Sequence, residues 1–222
     1  MLLFLFALSI LRAPGCTPEF APLTTGSYSG ESRVPFWPRA EAGAWGGAAW
    51  LGWTDDGDQL RPVRLIVRNR PPDEGHDDSF VTVESAPRVT FAVRCVKGLR
   101  AGPIQRATSA TGIDLLRHRS GQLALAGKQY ELRLESVESS LADAKVILTS
   151  GSRSQVLYSA DGFADDPHFD VVWAGDLDRD GRLDLVVNLS SKYSEHPYRL
   201  LLSTKAAAGQ LVGDAARFDT LD

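Results

Sequence analysis

Between Phe169 and Ser190 the chain reads FDVVWAGDLDRDGRLDLVVNLS. Two apolar runs, Phe169–Ala174 and Leu185–Leu189, flank a loop with aspartates at 176, 178, 180 and 184 and a glycine at 181. Short runs rich in valine and leucine read as two strands joined by a tight connection. In a curled loop alternate side chains point inward, so Asp176, Asp178 and Asp180 converge on one point. The Arg182 carbonyl faces that point too, and Asp184 closes its far side. Gly181 supplies the positive φ that reverses the chain.

Two unit charges about 4 Å apart repel by about 1 kcal/mol in water and by several times that near a protein surface. Four carboxylates crowded between apolar strands therefore call for a counter-ion. Oxygen-only ligation selects calcium, which takes roughly 6–8 oxygen ligands, over zinc or copper, and over magnesium, which keeps its waters. An EF-hand does not fit. Its twelfth position needs a bidentate glutamate where this loop has Val187, and the flanks read as strands. A solvated acidic turn without an ion is the remaining alternative.

The run Gly175–Val187, GDLDRDGRLDLVV, resembles the calcium loop of FG-GAP (VCBS-type) repeats. The resemblance implies a β-hairpin over 169–190 with calcium held by Asp176, Asp178, Asp180, Asp184 and the Arg182 carbonyl. Only one copy is present, so a complete propeller does not fit the length. The tail, Tyr198–Lys205 and Gly209–Phe218, is similar to the ends of bacterial proteins with a single such repeat, and that similarity implies no activity.

Outward from this loop, short apolar runs recur between turn residues from Ala44–Trp53 to Tyr198–Leu202. Arg61–Arg68 and Tyr130–Glu135 alternate apolar with charged residues, and Ala126–Gln129 reads as a hairpin turn. Helical signals are short, at Ser139–Ala144 and Lys205–Gly209. The expected fold is mainly β, with antiparallel sheets in a sandwich-like or partial propeller-like arrangement and a single domain over 41–222. A chain of 222 residues, 43% hydrophobic and 23% charged, is neither disordered nor collagenous nor a coiled coil. A net charge of −4 gives no strong attraction to nucleic acid.

Leu2–Leu11 is a ten-residue apolar run, LLFLFALSIL, too short to span a bilayer and suited to the core of a secretory signal over 1–15. Only Met1 precedes it, so the basic region of such a signal is missing there. Ala13-Pro14-Gly15-Cys16 resembles a lipobox, which makes Cys16 a lipidation candidate and its lipid the one membrane anchor. Cys16 and Cys95 are the only cysteines and could instead form a disulfide, which a thioether on Cys16 would exclude. Residues 16–40, punctuated by prolines, read as an extended tether. The expected location is exported: periplasmic, outer-membrane-anchored or extracellular.

Four of the five tryptophans fall within Trp37–Trp53. Core packing among the surrounding glycines and alanines is one reading, and a carbohydrate-binding platform is the other. His76 reads as part of a solvated turn, and His168 lies just before the loop's first strand. No Gly-x-Ser-x-Gly elbow, His-Glu-x-x-His pair or phosphate loop occurs. The expectation is a non-catalytic calcium-binding envelope module that binds an envelope protein or a glycan. The alternatives are a carbohydrate-binding module or a secreted hydrolase with an unrecognised site.

Overall fold

The computed structural model describes residues 16–23, 36–54, 57–69, 79–109, 113–136, 143–160, 165–192 and 195–219. The expected signal 1–15, tether residues 24–35, His76 and the helical signal at 139–142 lie outside them. In chain order the strands begin with β1 (Glu19–Pro22), β2 (Phe36–Pro38), β3 (Gly47–Thr54), β4 (Gly57–Asn69), β5 (Phe80–Ala86), β6 (Phe91–Arg94) and β7 (Gly102–Pro103). Next come β8 (Gln105–Arg106), β9 (Ile113–Asp114), β10 (Ser120–Leu125), β11 (Lys128–Glu135), β12 (Lys145–Ser150) and β13 (Arg153–Ser159). The series ends with β14 (His168–Asp176), β15 (Asp184–Ser190), β16 (Tyr198–Leu202) and β17 (Gly213–Phe218). The fold is mainly β with antiparallel sheets, one strongly curled into a half-barrel.

The first sheet has the order β1-β6-β3-β4-β5-β2, with β7 added on β4. The third is the meander β10-β11-β12-β13. The central sheet runs β17-β16-β15-β14-β8, with β9 also on β14. Its two faces serve two cores. On β15, Val186 joins the core shared with the first sheet, while Leu185, Val187 and Leu189 join the core shared with the third. On β16, Tyr198, Leu200 and Leu202 face the first sheet and Leu201 the third.

That placement accounts for the apolar runs. A strand covered on both faces has no solvent side, so β15 is buried from end to end, its apolar Leu185–Val187 run unbroken by alternation and its polar Asp184, Asn188 and Ser190 buried with it. The β11 strand, covered on one face, buries Tyr130, Leu132 and Leu134 and alternates them with Glu131, Arg133 and Glu135. It is joined to β10 by the expected turn, whose Ala126 and Gly127 both have positive φ, 48° and 77°. The β14 strand carries a bulge: Val171 pairs with Val187 but Trp173 with Val186. The extra Val172 shifts the side-chain parity. Phe169 and Val171 therefore face the third sheet, whereas Trp173 turns into the first core.

Four expectations change. All five tryptophans are at most 3% exposed, with Trp45 edge-on to Trp50 (6.1 Å) and Trp53 edge-on to Trp173 (6.2 Å). No indole face is left for a sugar, so the platform over 37–53 is corrected to core. Residues 16–40 are no free tether where described: β1 pairs with β6, β2 pairs with β5, and Phe20 stacks between Phe91 and Tyr198. The folded unit thus begins before residue 41. Cys16 is bonded to Cys95, with Cα atoms 5.6 Å apart, so the sulfur a lipid would need is already committed. At 205–209 there is no α-helix; a single 3-10 turn, Ser203–Lys205, ends β16 instead.

Candidate metal centre

The loop between β14 and β15 is built on its own aspartates. Asp176 Oδ1 accepts the Asp180 amide and Oδ2 the Gly181 amide, both at 2.9 Å. These bonds curl the chain back, and Gly181 completes the reversal at φ +75°. Asp184 is fully buried. Its Oδ2 accepts the Leu177 and Asp178 amides at 2.8 and 3.3 Å, and its Oδ1 accepts the Ser203 amide at 2.8 Å. Leu177 anchors the loop in the first core and Leu183 anchors it in the third.

Three of the four expected aspartates come together. Carboxylate oxygens of Asp176, Asp178 and Asp184 lie within 4.8 Å of one another, two of the three residues being buried. Asp180 stands outside that group. Its Oδ2 accepts from Arg182 Nε (2.7 Å) and the Ser203 hydroxyl (2.7 Å), and its Oδ1 accepts the Arg182 amide. The two Asp178 oxygens differ: Oδ2 accepts from the Thr204 hydroxyl, whereas Oδ1 is buried with no hydrogen-bond partner among the described residues. A buried carboxylate oxygen without a donor is costly, and a cation is the partner that suits it.

The electrostatics agree with that geometry. Burial pushes the Asp184 carboxyl up to about 8; its backbone donors oppose the shift and the Asp178 charge adds to it. Burial also raises Asp178, which the Thr204 hydroxyl opposes and the Asp180 and Asp176 charges reinforce. Burial acts to raise Asp180 as well, but the Ser203 and Arg182 hydrogen bonds outweigh it and hold the group below its ordinary value. The triad is thus a set of hard oxygen donors, of which Asp178 and Asp184 resist ionisation when alone. Such a set could hold a metal ion.

The sequence reading missed two walls of this site. Ser203 and Thr204 arrive through strand pairing: Leu185 lies opposite Leu201, which sets the next residues beside Asp184. The other wall is the segment after β6. Arg179, at φ 65°, donates from Nε to the Pro103 carbonyl (2.6 Å) and from a terminal nitrogen to the Arg100 carbonyl (3.0 Å). The β8 strand then pairs with Gly175 and Asp176, so closely that a Cβ on Gly175 would strike the Gln105 carbonyl. His168 is not part of the site. It opens β14 at the other end, its ring 4.8 Å from that of His196.

No protein family, curated protein or solved structure matches this chain. The class of the site therefore rests on its own atoms, a buried carboxylate triad able to take a metal ion.

Proposed function

We propose that this is an exported, non-catalytic β protein in which Asp176, Asp178 and Asp184 bind one calcium ion that locks the β14–β15 hairpin against the turn after β16. The observation that carries the reading is the triad itself, with oxygens within 4.8 Å and Asp178 Oδ1 buried without a donor among the described residues. All-oxygen ligation favours calcium over softer metals, and the resemblance of Gly175–Val187 to an FG-GAP loop supports the same ion. The nearby cationic groups of Arg179 and Arg182 turn onto carbonyls and onto Asp180, which leaves the triad for a cation.

Export is supported by the Cys16–Cys95 bridge, since disulfides persist in oxidising compartments. The same bridge favours a periplasmic or extracellular protein over one anchored through a lipid on Cys16. An ion bound only by the folded chain stabilises it by RT ln(1 + [Ca]/Kd), about 2.7 kcal/mol at a hundredfold excess over Kd. The test is thermal melting in calcium and in chelator. The melt rises with calcium, less with magnesium, and Asp178→Asn removes most of the difference; identical melts in both buffers overturn the reading.

A further inference from the structure

Cys95 is the first residue after β6, and the segment that follows it runs straight onto the acid loop. Gly98 lies against Asp178, for a Cβ built there would stand 3.7 Å from the Asp178 Cβ. Arg179 grips the next two bends through the Arg100 and Pro103 carbonyls. Further along, Gln105 pairs with Asp176. One continuous stretch, from the disulfide to β8, thus lies against two of the three aspartates, Asp178 and Asp176, and is held by Arg179. At its upstream end it is fixed by the bond from Cys95 to Cys16, and the Glu19–Arg94 ion pair (2.7 Å) sits beside that bond.

We propose that the Cys16–Cys95 disulfide sets the affinity of the carboxylate triad for its cation, by holding the 96–103 segment over Asp178 and Arg179. The proposal rests on the ion-binding reading above and adds a control to it. With the bridge closed, the segment is tied at both ends and keeps the half-buried Asp178 in place. With the bridge open, only the β6 pairing and the buried Val96 hold its upstream end, and part of the binding energy goes into tightening it. A dithiol opens the bridge by supplying two electrons and two protons: the Sγ–Sγ bond breaks, both cysteines become thiols and the dithiol closes to its own disulfide. Linkage makes the effect reciprocal, so the ion must favour the closed bridge by the same factor by which the bridge favours the ion.

Calcium titrated calorimetrically into the oxidised chain, and into a chain carrying Cys16→Ser and Cys95→Ser, tests this. Binding to the bridge-free chain at least about fivefold weaker supports the proposal. Equal affinities overturn it and leave the ion-binding reading standing, whereas no binding to either chain overturns both. Should circular dichroism show the bridge-free chain unfolded, the decision passes to the unaltered protein equilibrated with dithiothreitol. There calcium shifts the dithiol–disulfide equilibrium toward the bridge beyond what magnesium does, and an unmoved equilibrium overturns the proposal. Arg179→Ala identifies the carrier. In the oxidised chain it weakens calcium binding, and in a folded bridge-free chain it adds nothing; weakening of the same size in both removes the segment from the mechanism.

Discussion

The tryptophan core and the acid loop sit a few residues apart at Trp173 and Asp176, and they are held together by opposite means. Around Trp37, Trp45, Trp50 and Trp53, stability comes from apolar area removed from water. Around Asp176, Asp178 and Asp184, the backbone amides that shape the loop are satisfied, but the negative charge gathered to satisfy them is not. Burial carries the first region in any buffer; the second depends on what the buffer contains.

Four experiments break or sharpen that contrast. The largest effect is expected from Trp37→Ala, which removes a fully buried indole and costs about 3–5 kcal/mol, equally in calcium and in chelator. A loss that differed between the two buffers would mean the core and the loop are one cooperative unit. Next comes Asp184→Asn, which erases the calcium increment, about 2.7 kcal/mol at a hundredfold excess over Kd. In chelator it still costs about 1–3 kcal/mol, because an amide nitrogen would face a backbone donor such as that of Ser203.

The third is a pH series in chelator, followed by denaturant unfolding. Asp184 keeps its proton in the folded chain up to about 8, while the unfolded chain releases it near the ordinary 3.8. Stability therefore falls as pH rises between those values, by at most about 1.4 kcal/mol per pH unit from this one group, and calcium flattens the slope. A slope unchanged by calcium would place the ion elsewhere. The smallest effect belongs to Asp180→Asn. The Arg182 side of its ion pair is half-exposed and the amide oxygen of Asn can still accept from Ser203, so about 0–1 kcal/mol is lost, and calcium affinity stays within about twofold. A large loss of affinity would show that Asp180 leaves Arg182 to join the ion.

What could be read in advance followed the range of the interaction. Asp176, Asp178 and Asp184 are close in sequence, so alternation and Gly181 were enough to bring them together. The apolar runs beside them were equally plain, since β14 and β15 form a local hairpin. Asp180 stands apart from the triad because its competitor, Arg182, is two residues away, and the pattern treats every aspartate alike. Ser203 and Thr204 were invisible because only the β15–β16 register brings them near. The same holds for β1: four residues ending in Pro22 carry little strand signal, and the partner β6 lies far along the chain. Arg179 carries no sequence signal of its role, because the Pro103 and Arg100 carbonyls it meets are 76 and 79 residues away.

The pairing of β1 with β6 has a consequence for biogenesis. Glu19 and Arg94 are 75 residues apart, and synthesis delivers them in that order. While the intervening chain is being made, Phe20 and the sulfur of Cys16 have neither Phe91 nor Cys95 to meet. Whatever carries the nascent polypeptide must keep that early strand from pairing with another molecule until β6 arrives.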